Sequence, residues 1–130
     1  MVDTQGLLMQ AIVHAADIQD RDGGVLLMAT LFGLYPFLLK LYADSGYQGP
    51  KFRQGMQQVC RHINVEIVKR TDKAKFVVLP KRWLVERSIA WLNRCRRLAK
   101  DWECTNRNAR AFLLWASIRL MLRKLCQNDI

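Results

Sequence analysis

The apolar positions of this chain fall into runs whose rhythm changes along its length. Residues Leu7–Ala16 are almost continuously apolar, which predicts a strand lying inside a sheet. Asp3-Thr4-Gln5-Gly6, just before them, has the form of a hairpin turn, with Asp first and Gly last. Asp17, Asp20 and Asp22 then lead into the apolar segment Val25–Leu34, the order expected where acids cap a helix and complement its dipole. Phe37–Ala43 predicts a second strand, which delivers Asp44 into the loop Ser45–Pro50. A short helix over Lys51–His62, a third strand at Val65–Lys69 and a polar, basic loop at Thr71–Lys75 follow.

Pro80 is suited to the first turn of a helix running to about Trp102. Trp83, Trp91, Cys95, Leu98 and Trp102 recur at helical spacing and predict its core face. Thr105 is placed to cap a last helix from Arg107 to about Cys126. Strands grouped early and helices late predict an α/β fold, a mixed sheet flanked by helices with C-terminal helices. One domain is expected over residues 1–126, with 127–130 as a tail.

Charge adds a direction. The net charge is +10, but the first fifty residues carry two basic and five acidic side chains, whereas residues 51–130 carry nineteen basic and six acidic. A polyanion met by the second half fits this imbalance, and DNA and RNA fit it equally. The four cysteines form no CxxC pair and match no zinc spacing with His14 or His62, so they read as reduced thiols. Val25–Leu39, broken by Gly33 and Pro36, is too short to span a bilayer core of about 30 Å. With no basic segment opening the chain, neither a signal peptide nor a membrane role is expected.

Two acids stand out against this background. Asp44 follows an apolar strand and precedes Ser45-Gly46, so its carboxylate emerges at the end of a sheet, where open α/β sheets bind ligands. An Asp that merely starts a turn has the same surroundings. Glu86 is a lone carboxylate among Lys81, Arg82, Arg87, Arg94, Arg96, Arg97 and Lys100. On an ideal helix Arg82, Glu86, Asn93, Arg97 and Lys100 fall within roughly 40° of one face. Cations there can hold phosphates while the carboxylate holds a metal; the plainer alternative is that Glu86 pairs with Arg82 on a solvated face. Hard carboxylate oxygens in both positions suit Mg²⁺ or Mn²⁺. No nucleophilic triad, P-loop or dinucleotide fingerprint is present.

Six ordered strings, VDTQGLL, HAADIQDRDGG, LYADSGYQGP, EIVKR, LPKRWLVERSIAWLNRCRRLAKDWE and FLLWASIRLMLRKL, cover Val2 to about Cys126. Together they resemble bacterial insertion-sequence transposases of the DDE type, with an RNase H-like catalytic core. The resemblance implies three acids that bind two metal ions, strand cutting by water, and attack of a 3′-hydroxyl on target DNA. Asp44, in ADSGYQG, matches the second acid, and Glu86 the third. Arg82 matches the Arg of the family's signature around the third acid. Leu79 stands where that signature has Tyr, and Asn93 where it has Lys. The resemblance implies Asp44 and Glu86 as catalytic metal ligands, and Arg82, Arg94, Arg97 and Lys100 as contacts to DNA.

The family's first acid lies upstream of VDTQG and has no counterpart here. Only Met1 and Val2 precede the Asp3–Gly6 turn. Both features lead to the expectation of an incomplete RNase H-like domain lacking its N-terminal strand: a decayed copy, a mis-started frame or a frameshift product. The expected partners are transposon ends and target DNA, with self-association or association with a full-length transposase. The expected place is the bacterial cytoplasm, at the nucleoid. The alternative function is a non-catalytic DNA-binding or transposase-associating piece.

Overall fold

The computed structural model describes residues 1–31, 33–68 and 82–127, with Arg82 described by its backbone alone. The chain forms two compact units, His14–Arg82 and Met1–Val13 with Trp83–Ile130. Among the described residues there are four α-helices and a two-stranded sheet, a mixed α/β set consistent with part of an RNase H-like domain.

In the unit His14–Arg82, helix α1 spans Asp20–Ala29, strand β1 Lys40–Asp44, helix α2 Pro50–Val59 and strand β2 Asn64–Val68. Asp20 and Asp22 occupy the first turn of α1, as the sequence predicts, though no side chain caps it. Pro50 begins α2, where its missing N–H costs no hydrogen bond. The two strands run parallel, joined through α2, with Lys40 opposite Asn64 and Asp44 opposite Val68. This βαβ arrangement puts the carboxyl ends of both strands on one edge. Met28, Leu31, Phe52, Met56, Cys60 and Ile63 form the buried core beneath the helices. Gly55 lets α2 approach α1: a Cβ there would meet Val25 Cγ2 at 2.7 Å.

In the unit Met1–Val13 with Trp83–Ile130, helix α3 spans Arg82–Asn93 and helix α4 Asn106–Gln127. Thr105 caps α4 as expected, its Oγ1 accepting from the Asn108 N–H at 3.3 Å. The Asp3–Gly6 turn forms too, with Gly6 N–H donating to Asp3 O at 3.1 Å and Gly6 at φ 81°.

Three expectations are corrected. Leu7–Ala16 is not a strand: a single antiparallel bridge joins Val2 to Leu8. Past that pair the backbone leaves ladder geometry: Met9 and Gln10 both donate to Met1 O, and Ala11 O receives Arg110 instead. The helix from Pro80 to Trp102 is also too long, since α3 stops at Asn93. Arg94 and Cys95 bond three residues back, to Trp91 and Leu92, and Cys95 turns extended at ψ 113° before a 3-10 turn at Arg96–Leu98. Finally, the tryptophans do not make the core face of α3. Trp83 and Trp102 are 45% and 60% exposed, and Ser88 and Leu92 take the buried positions. The expected loop Thr71–Lys75, Lys69 at the end of the third strand, Leu79, Pro80, Lys81 and tail residues 128–130 lie outside the described residues.

Candidate active site

Asp44 is the last residue of β1, exposed, at the carboxyl end of a parallel strand. Its Oδ1 accepts the Gly46 N–H at 2.8 Å, closing the 3-10 turn Ser45–Tyr47. An open depression of about 540 Å³ lies beside it, lined by Asp17, Asp20, Arg21, Ser45, Gly46 and Gln48 among others. Asp20 reaches the same place from α1: a Cβ on Gly46 would lie 3.1 Å from Asp44 Oδ1 and 4.0 Å from Asp20 Oδ2.

Tyr47 holds this corner together. Its ring packs edge-on against Phe52, centroids 5.9 Å apart. A Cβ on Gly24 would meet the Tyr47 ring at 2.8 Å, so only glycine lets α1 come this close. Burial pushes the Tyr47 hydroxyl above its ordinary pKa, and the Asp20 and Asp44 carboxylates push it further the same way. The sequence reading gave Asp20 a capping role alone. The signal it passed over was Gly24, a helix-weakening residue inside an apolar helical segment, which marks a close approach.

Glu86 lies on α3, exposed, in the other unit. The two residues after it are fixed against the Asp3–Gly6 turn. Ser88, 3% exposed, donates from Oγ to Gly6 O at 2.6 Å or to Leu84 O at 2.7 Å. Arg87 Nη2 donates to Gln5 O at 2.9 Å, and the guanidinium lies between the Trp83 and Trp91 rings, 4.2 and 4.5 Å from their centroids. Arg87 Nε is buried there and finds no hydrogen-bond partner among the described residues.

Arg97 and Lys100 do not share the face of Glu86, which Arg82 at the start of α3 keeps by its place in the helix. Because α3 stops at Asn93, Arg97 sits in the 3-10 turn and Lys100 beyond it, so the single-face register from Arg82 to Lys100 fails. Arg97 Nε donates to Glu103 Oε1, and its guanidinium lies 4.9 Å from the Phe112 ring centroid. Lys100 Nζ lies 5.8 Å from the Trp102 ring. Arg94 and Arg96 are exposed. Among the described residues, no three His, Cys, Asp or Glu side chains gather to hold a metal ion. The donors present at Asp44, exposed carboxylate oxygens, still have the chemistry Mg²⁺ and Mn²⁺ select. All four cysteines are free, and no described helix is long and apolar enough to cross a membrane.

A parallel strand ending in an exposed aspartate and mixed α/β elements are consistent with part of an RNase H-like nucleic-acid enzyme domain. Residues 1–121 match the transposase DDE domain, and the chain belongs to that family. Its function is therefore connected with transposition, and a domain of this kind works on DNA. No curated protein and no solved structure matches the chain.

Proposed function

We propose that Asp44 and Glu86 are metal-ligating acids in the cutting and joining of DNA at insertion-sequence ends, with Mg²⁺ or Mn²⁺ as cofactor. The observation that carries this reading is the position of Asp44. Asp44, which the resemblance matches to the second acid, stands at the carboxyl end of a parallel strand, beside an open polar depression. The Gly46 N–H fixes Asp44 Oδ1, which orients the carboxylate and leaves Oδ2 for a cation. A divalent cation, when bound, polarises phosphate oxygens as a Lewis acid. Arg94, Arg97 and Lys100, with Arg82, hold DNA phosphates; such contacts position the duplex without reading its sequence. The protein works in the bacterial cytoplasm, at the nucleoid.

The test is binding of Mn²⁺, followed by paramagnetic resonance, together with end cleavage in the presence of the complete transposase. Asp44→Asn and Glu86→Gln should each weaken Mn²⁺ binding and abolish any cutting due to this chain. Unchanged Mn²⁺ affinity in both variants would remove the reading.

A second reading is favoured by α4, which leaves Trp115, Leu122 and Leu125 between 55% and 70% exposed. Exposed apolar side chains in such number mark association surfaces. In this reading the chain pairs with a second copy or with a full-length transposase without cutting DNA itself. Sedimentation of the wild type against Trp115→Ser and Leu122→Ser measures it, and a monomer at all concentrations in every case argues against it.

A further inference from the structure

The contact between α3 and the Asp3–Gly6 turn joins residues eighty-two positions apart through two hydrogen bonds, Ser88 Oγ to Gly6 O at 2.6 Å and Arg87 Nη2 to Gln5 O at 2.9 Å. Gly6 is buried at φ 81°, a conformation glycine adopts freely. A Cβ there would meet Ser88 Oγ at 2.9 Å, Arg87 Nη2 at 3.2 Å and Leu84 O at 3.6 Å. The turn is stiffened from within, since Asp3 Oδ1 accepts from both Gln5 N–H and Leu7 N–H at 2.8 and 2.9 Å. It is also gripped from outside, with Arg87 Nη2 and Lys124 Nζ both donating to Gln5 O at 2.9 and 3.3 Å.

Helix geometry gives this contact a consequence for Glu86. Ser88 follows Glu86 by two residues, about 200° around the axis, so the two lie on nearly opposite sides of α3. Glu86 is exposed and Ser88 is buried against the turn. Pinning the rear of a helix fixes its rotation, and rotation decides where the front side chain points. Leu92, one turn on from Ser88 and 7% exposed, extends the same buried stripe. Without the Ser88 hydroxyl and the close approach at Gly6, α3 keeps its hydrogen bonds but loses the contact that sets its angle.

We infer that Ser88, seated on the Gly6 turn, is a positioning residue that sets the rotation of α3 and so aims the Glu86 carboxylate at its metal ion. The inference rests on the reading of Glu86 as a metal ligand. Supporting groups behind metal ligands commonly change affinity by about 10–100-fold when removed, which sets the size of effect to look for.

The experiment is Mn²⁺ binding to the full chain, followed by the paramagnetic resonance of free Mn²⁺, with far-ultraviolet circular dichroism as the control on folding. The variants are Ser88→Ala, Ser88→Thr, Glu86→Gln and the double Ser88→Ala/Glu86→Gln. Ser88→Ala should bind Mn²⁺ about tenfold more weakly with its helical signal intact, and Ser88→Thr, which keeps the hydroxyl, should restore binding. Glu86→Gln should weaken binding, and adding Ser88→Ala to it should change nothing more. Wild-type affinity in Ser88→Ala, failure of Ser88→Thr to restore it, or an equal loss in the Glu86→Gln background would overturn the inference while leaving Glu86 a ligand. Wild-type affinity in Glu86→Gln would overturn the metal reading of Glu86, and this inference with it. Should Ser88→Ala lose its helical signal, Gly6→Ala displaces the same hydroxyl from the turn side and takes its place in the cycle, with the same outcomes.

Discussion

Asp20 and Asp44, at the start of α1 and the end of β1, turn their carboxylates toward one glycine. A methyl group on Gly46 would sit 3.1 Å from Asp44 Oδ1 and 4.0 Å from Asp20 Oδ2. The first distance is shorter than ordinary contact, and the oxygen concerned already accepts the Gly46 N–H. Gly46→Ala should therefore displace the Asp44 carboxylate and weaken Mn²⁺ binding, while Asp44→Ala should cost about 1 kcal/mol of stability through the lost cap alone. Titration with Mn²⁺ and urea unfolding measure the two effects. Full Mn²⁺ affinity in Gly46→Ala would show that the Asp44 carboxylate, oriented through this oxygen, is not a ligand.

Tyr47 reports the same corner through pH. Burial, then the charges of Asp20 and Asp44, raise its pKa in the folded state above the ordinary tyrosine value of 10.0. A raised folded pKa means that the folded state holds the proton longer. The associated stability is complete below about pH 10 and is lost as pH rises through the folded pKa. Ultraviolet difference titration should show the Tyr47 phenol ionising late. Asp20→Asn and Asp44→Asn should each move it toward 10, since each removes a negative charge nearby. A titration unmoved by both would contradict the geometry.

DNA binding should be steeply salt-dependent. Nineteen basic side chains face six acidic ones over residues 51–130, and phosphate neutralisation releases counterions. Charge reversal of Arg94, Arg96 and Arg97 together should weaken binding more than reversal of Arg119 and Arg123. Most of the loss should come from Arg94 and Arg96, because Arg97 is already engaged by Glu103 and Phe112. Fluorescence anisotropy across a salt series checks this. Affinity that is flat between low and moderate salt would count against an electrostatic interface.

Cutting by these 130 residues alone should be weak. On the proposed reading Asp44 and Glu86 supply two of the three acids that the resemblance implies, and a two-ion site needs ligands for both ions. An assay on the element's ends should show little product with Mg²⁺ or Mn²⁺, and more when an upstream extension supplies a further strand bearing Asp. Robust cutting by the chain alone, lost on Glu86→Gln, would assign the third role to another acid of this sequence, with Asp3 the first to test.

Local chemistry was read correctly where it is complete within a few residues. Thr105 before α4, the Asp3–Gly6 turn and the strand ending in Asp44 each depend on bonds spanning two to four positions. Such signals survive in any context, so the sequence by itself determined most of the helices, both paired strands and the place of Asp44 among them. It also determined the family, because ordered strings along the whole chain carry more information than any one element.

Pairing across distance was another matter. Leu7–Ala16 has the composition of a strand, but a strand exists only where a partner ladder meets it, and here the ladder is a single bridge. The periodicity of Trp83, Trp91 and Trp102 looked like a buried stripe, yet Ser88 and Leu92 hold the core positions and α3 ends at Asn93. The meeting of Asp20 with Asp44 needs Gly24 to admit the Tyr47 ring, and the docking of Ser88 needs a bare Gly6. Only the tertiary structure could decide these, because each depends on the space between residues twenty or more positions apart. A hydrophobic pattern records which side chains avoid water, but not which neighbour fills the gap beside them.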